Sequence, residues 1–185
     1  MENIKNLWVS GYRSYELGIF QDEDPKKKII MDYLTQILQD YCENGLQWIL
    51  TGGQLGIEQY TIEAIKKNSI FQTYHLKTAI MLPFTNIANN WSEKNQQRFA
   101  LAQQQADYVN SVSAQDYVNP SQFTNWQQFM LQHTDAGLMV YDLEHPGKAQ
   151  YEYRAIKQYQ KEHDYDLRLV DFYDLQDFID AQVDF

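Results

Sequence analysis

The feature that most constrains this chain is an alternation of two hydrophobic rhythms. Short apolar runs recur at Leu7-Trp8-Val9, Trp48-Ile49-Leu50, within Lys77 to Leu82, more weakly within Asp107 to Val112, and at Gly137 to Tyr141 and Leu167 to Val170. Between them lie segments whose apolar residues repeat every three or four positions. The first carries Ile30, Leu34, Ile37 and Tyr41 behind Asp24-Pro25, a helix cap followed by proline at the first helical position. Gln54 to Lys67, Ser92 to Ala102, and the stretches after Asn119-Pro120, after Gly147 and around Leu175 read the same way. Continuous apolar runs describe strands covered on both faces, and helical crossovers favour parallel pairing with right-handed connections. The expectation is an α/β fold. It is a single Rossmann-like, doubly wound domain over residues 1–185, with a mainly parallel sheet and helices on both faces.

Composition narrows the function classes. The 185 residues carry a formal net charge of −10, which repels a phosphate backbone and argues against nucleic-acid binding by bulk charge. The single cysteine, Cys42, excludes an intrachain disulfide framework. No apolar run approaches the ~20 residues of a membrane helix, so no membrane partner is expected. The opening MENIKNLWVSGYRS lacks the apolar segment of a signal peptide, so a cytoplasmic setting is expected. His75, His133, His145 and His163 show no metal-ligand spacing, and no metal site is expected.

Ligands of open α/β sheets bind beyond the carboxyl ends of the strands. Attention therefore falls on the loops after the first, second and fifth apolar runs, and on Pro83-Phe84 behind the third. The loop Thr51-Gly52-Gly53-Gln54-Leu55-Gly56 says most. Two glycines join strand to helix and let a ligand approach the main chain, while the helix that follows offers free N–H groups to an anion. A phosphate seat and a tight turn needing glycine for geometry alone both fit. Gly56, placed in the first helical turn, suits close packing on strand or ligand. Glu58 suits either the helix dipole or ribose hydroxyls. Arg13, after Ser10-Gly11-Tyr12, suits either a phosphate or a surface ion pair. Lys148, with Asp142 and Gly147 in the fifth-strand loop, sits where a helix dipole opposes its charge, a conflict that a bound anion or a neighbouring Glu144 or Glu152 would relieve. Tyr12, Tyr15, Phe20, Phe84 and Trp91 lie near these loops as core residues or as platforms for a base.

Gly11-Tyr12-Arg13-Ser14-Tyr15-Glu16-Leu17-Gly18, taken with Thr51-Gly52-Gly53-Gln54-Leu55-Gly56-Ile57-Glu58, resembles the YpsA-like family of Firmicutes proteins. That family is placed in the SLOG superfamily with the cytokinin-activating LOG proteins and the DprA/Smf DNA-processing proteins. The resemblance runs nearly end to end. It implies a Rossmann-like fold that binds a nucleotide or nucleotide-derived ligand, with Gly53 and Glu58 at the site, and a cytoplasmic role near cell division or stress signalling. The LOG phosphoribohydrolases carry a Pro-Gly-Gly-x-Gly-Thr loop, a catalytic glutamate and a Met-His-x-Arg-Lys segment. Here the matching loop reads Pro146-Gly147-Lys148-Ala149-Gln150-Tyr151-Glu152: the later glycines are missing, Glu152 is out of register, and Arg98 does not replace the upstream arginine.

The leading expectation is a nucleotide-binding sensor or regulator. Phosphate would rest on Gly52 and Gly53, Arg13 and Lys148 would add positive charge, and Glu58 would hold ribose. Its partners would be that small molecule, a responding protein and a second copy of the chain in a homo-oligomer. The alternatives are an N-glycoside hydrolase acting on nucleoside monophosphates through Glu58 or Glu152, and a non-catalytic interaction scaffold. No resident cofactor beyond the nucleotide-derived ligand is expected.

Overall fold

Inside the sheet β1 (Asn6–Gly11) pairs with β5 (Ala136–Val140), and both strands are buried over almost their whole length. Around them lie β2 (Trp48–Thr51), β3 (Lys77–Leu82), β4 (Tyr108–Ser111) and β6 (Asp166–Val170). The strand order is β4-β3-β2-β1-β5-β6, and every pairing is parallel. The computed structural model describes residues 3–183. Met1, Glu2, Asp184 and Phe185, the ends of the expected 1–185 unit and the first residues of the segment read for a signal peptide, lie outside the described residues.

The helices are α1 (Pro25–Glu43), α2 (Ile57–Lys67), the short α3 (Ile70–Thr73), α4 (Glu93–Gln105), α5 (Ser121–Gln132), α6 (Gln150–Tyr159) and α7 (Phe172–Val183). α2 packs between α1 and α4, and α7 packs on α1; α5 packs on α6. With right-handed crossovers these groups cover opposite faces of the sheet. The starts follow ordinary capping chemistry. Asp24 accepts from the Lys26 amide (2.9 Å), and Ser92 accepts from the Asn95 amide (3.3 Å). Asp171 and Asp174 exchange carboxylate-to-amide bonds at 2.8 and 3.0 Å to open α7.

Burial explains the apolar rhythm. β1 and β5 have helices on both sides, so Leu7, Val9, Leu138 and Met139 are fully buried. The outer strands β4 and β6 instead alternate exposure along their length, as edge strands with one wetter face do. No described helix is long and apolar enough to cross a membrane.

Three local expectations change. The sheet is wholly parallel rather than mainly so. α3 has no counterpart in the sequence reading because it is a single turn without its own amphipathic period. α2 begins at Ile57, not at Gln54: Gly56, at φ +90°, is its N-cap, and residues 52–56 form a loop. Gly56 therefore lies outside the first helical turn. A methyl group there would fall on the backbone of Tyr12 and Arg13, so the residue permits loop-on-loop contact rather than approach by a ligand.

Candidate functional site

β1 and β5 run side by side to Gly11 and Val140, and the chain leaves them towards opposite ends of the sheet. This is the switch point where open α/β folds leave a crevice. Arg13 stands just beyond β1, only 8% exposed. Its Nη1 lies 3.6 Å from Glu58 Oε2 on α2, and its Nη2 lies 3.7 Å from Glu152 Oε1 on α6. Both carboxylates are buried, at 1% and 5% exposure. One guanidinium thus sits between two acids drawn from helices that follow different strands.

The two acids differ in what else they hold. Glu58 Oε1 accepts from the Gly52 amide (2.8 Å) and Oε2 from the Gln54 amide (3.2 Å). The Gly53 amide donates to Thr51 Oγ1 (3.0 Å), and the Gly53 carbonyl accepts from Gln59 Nε2 (3.1 Å). The amides expected to cradle a phosphate are therefore already taken by the protein's own oxygens. Gly53 adopts φ +73°, and a Cβ there would lie 2.8 Å from Ile80 Cγ2. Of the two readings of this turn, the structure matches the tight turn whose glycines serve geometry.

Glu152 has fewer partners. Its carboxylate leans on its own amide, and the long Arg13 contact is its one ion pair among the described residues. Burial pushes this carboxyl up to about 7, with Arg13 opposing the rise and the Glu58 charge adding to it. Burial also pushes Glu58 above the usual carboxylate range, against the pull of Arg13 and of the Gly52 and Gln54 amides.

The other expected site residues divide between scaffold and cleft. Tyr12 is 3% exposed, stacks on Phe172 at 5.3 Å and donates from its hydroxyl to the His145 carbonyl (2.6 Å). It braces the core and does not face a base. Phe84 is buried against Phe123 and Tyr117. Asp142 is spent on the Glu144 and Phe172 amides (2.8 and 3.3 Å), and Gly11 and Thr51 are enclosed at the strand ends. Lys148 is held through its main chain: its amide donates to Glu16 Oε2 (2.9 Å), while Glu16 Oε1 accepts from the Arg13 amide (2.8 Å). A methyl group on Gly147 would fall on that Glu16 carboxylate.

Above the Arg13–Glu152 pair opens a cleft of about 870 Å³. Arg13, Gly52, Gln54, Pro83 and Lys148 line it, as do Tyr15 and Trp91 from the aromatic candidates. Gly11, Tyr12, Thr51, Gly53, Gly56, Glu58, Phe84, Asp142 and Gly147 do not; Phe20 lies by a smaller cavity between α2 and α4. Sequence reasoning missed Phe123, Trp126 and Gln127 of α5 and Tyr151 of α6 as cleft residues. Their helical spacing reads as core. α5 starts beside the cleft mouth and leaves Phe123 exposed, α6 turns Tyr151 outward, at 59% exposure, and Trp126 lines the cleft from within the core. Trp126 is anchored by its indole N–H on the Met81 carbonyl (2.7 Å) and by an edge-on contact with Trp8.

Comparison with known proteins agrees with the quoted loop motifs. A family model described as the YspA SLOG family matches residues 7–175. A UPF0398 protein of Lactobacillus helveticus is 49% identical over 94% of this chain and 92% of its own length. UPF0398 proteins of Oenococcus oeni and Leuconostoc citreum are 50% and 46% identical, over 90% and 95% of this chain and 89% and 92% of their own lengths.

Proposed function

The chain belongs to the YpsA SLOG family, and from that premise we propose that its cleft binds a nucleotide-derived ligand, the protein acting as a sensor or regulator in the cytoplasm. The observation that carries this reading is the cleft itself. It stands at the switch point of a parallel sheet and combines aromatic walls with a charged floor of Arg13 and Glu152. Trp91, Phe123 and Tyr151 offer faces to a base. Lys148 Nζ makes no ion pair among the described residues, so it is the cation free to meet a phosphate at the cleft mouth. The phosphate seat thus moves from the Gly52-Gly53 turn to Lys148, and the ribose contact moves from Glu58 to Glu152. A ligand that binds two shapes of these loops unequally would change affinity for a protein partner.

The test is a thermal-shift and tryptophan-fluorescence screen with nucleoside mono- and diphosphates, NAD, ADP-ribose and cyclic dinucleotides. A binder at 100 times its Kd stabilises the fold by about 2.7 kcal/mol, and Trp91→Ala weakens it. If no compound changes either signal in the wild type, the reading falls.

A second reading, hydrolysis of an N-glycosidic bond, draws on one observation: a buried carboxyl held near neutrality on the cleft wall, able to give or take a proton at pH 7. Water would add across the bond, its hydroxyl going to the sugar carbon and its proton to the leaving base. Glu58 is shut behind Gly52, so this role would fall to Glu152. Release of free base from a nucleotide panel, lost in Glu152→Gln, would establish it.

A further inference from the structure

We infer that the smaller cavity between α2 and α4 is a second binding site, separate from the cleft, for a small organic acid. The carboxylate would lie between Lys27 and Arg98, and the short carbon chain against the apolar wall. This site does not rest on the nucleotide reading above: the cavity and the cleft share only Leu55 among their lining residues.

Two cations from different helices turn towards one point at this cavity. Lys27 Nζ, on α1, lies 3.5 Å from Asp22 Oδ1, and Arg98 Nη2, on α4, lies 3.4 Å from the same oxygen. Both approaches are longer than the ~2.7–2.9 Å of a charge-assisted hydrogen bond. Asp22 stands on a surface turn with its side chain 58% exposed, so its carboxylate marks the place without filling it. Arg98 is steadied by Asn95 Oδ1 (3.1 Å) and the Phe20 carbonyl (3.3 Å). Lys27 is buried, and its firm partner is Glu63 at 2.8 Å, an acid that also takes Lys67. Three cations thus meet two acids, an excess of one positive charge in a chain of net charge −10. Asp24, the next acid along, has Lys26 as its own counterion, and Glu23 does not line the cavity. One entering anion balances the excess.

The remaining lining suits the rest of such a molecule. Tyr60 is buried, lines the cavity, and its hydroxyl makes no hydrogen bond to another described residue. Burial pushes its phenol up against the pull of Arg98, so the hydroxyl stays a donor near neutral pH. A carboxylate supplies the acceptor that this donor lacks. Ile19, Leu55 and Ala102 are buried in the wall, while Phe20 and Leu101 stand exposed beside it. An inorganic oxyanion uses none of that surface, whereas a carbon chain gains from covering it. The volume is about 190 Å³, room for roughly six water molecules, which fits an acid of about three to six carbons.

The experiment is a ligand-observed NMR titration of the full chain at neutral pH and fixed ionic strength. The probes are propionate, butyrate and hexanoate, with butyramide and inorganic phosphate for comparison, on wild type, Arg98→Gln and Asp22→Asn. At least one of the three acids is expected to bind about 10-fold or more tightly than butyramide or phosphate, and Arg98→Gln to weaken it about 10-fold or more. Asp22→Asn removes the competing carboxylate and is expected to tighten the acid about 2- to 5-fold, a gain that a folding defect cannot mimic. The inference is overturned if none of the three acids binds Asp22→Asn, where the cations stand unopposed, or if that variant binds no more tightly than wild type. Butyramide or phosphate binding as well as the acids would overturn it too. So would a loss of acid binding in Lys148→Ala in place of Arg98→Gln, which would put the acid in the cleft.

Discussion

The turn after β2 and the turn after β5 are built from similar parts and end up with opposite duties. Each joins a parallel strand to a helix, each contains glycine, and each places a glutamate early in that helix. At the first, Glu58 folds back over Gly52 and Gln54 and the loop closes on itself. At the second, Glu16 comes from outside to occupy the Lys148 amide, and Glu152 is left facing the cleft. The contrast teaches that a buried carboxylate is closed into a turn or left facing a cleft according to which amides the fold brings to it. Residue type and position on the helix do not decide it.

The sharpest way to break the comparison is Glu58→Ala. It leaves the Gly52 and Gln54 amides without their acceptor and Arg13 with half its countercharge, so a loss of about 3–5 kcal/mol in urea unfolding is expected. A loss under about 1 kcal/mol would mean that Glu58 is not what closes this turn. Gly53→Ala comes next: the left-handed backbone and the Ile80 contact predict a cost of about 1–3 kcal/mol by the same measurement. Neither variant is a clean probe of ligand binding, because each disturbs the loop before any ligand arrives.

Glu152→Gln sharpens the comparison from the other side. Burial pushes the wild-type carboxyl from the usual 4.5 up to about 7 in the fold, with Arg13 opposing the rise and Glu58 adding to it. Its contribution to stability is full below pH 4.5 and is lost as pH rises towards 7. A glutamine lacks that loss. Its unfolding free energy should lie within about 1 kcal/mol of wild type at pH 5 and exceed it at pH 8. Thermal melts across that range check the sign, and a variant that loses stability relative to wild type as pH rises would refute it. The same proton predicts that ribose affinity rises between pH 6 and 8, since hydroxyl donors prefer the ionised acid. The smallest effect belongs to Lys148→Ala. With no ion pair to lose among the described residues, it should move the melting free energy by less than about 0.5 kcal/mol while weakening phosphate-bearing ligands more than nucleosides.

Much of the fold was legible because burial imposes its own period. Strands covered on two faces must be apolar at every position, and helices covered on one must repeat every three to four residues. β4 read weakly because it is an edge, with less to bury. The loops were legible as places but not as roles. Gly56 looked like a helical residue because nothing local reports that Tyr12 and Arg13 lie against it. Phe123 looked like core because helical spacing does not say which end of α5 borders a cleft, whereas Trp126 is core, at 4% exposure, and lines the cleft from there.

By itself the sequence determined the alternation of strand and helix, the family to which the loop motifs belong, and the loops that border the cleft. Each follows from local chemistry or from a period repeated along the chain. Only the tertiary structure decided which glutamate closes a turn and which faces the cleft. That choice depends on amides and a guanidinium brought together from residues 13, 52, 58 and 152, and hydrogen bonding acts over ångströms whatever the separation along the chain.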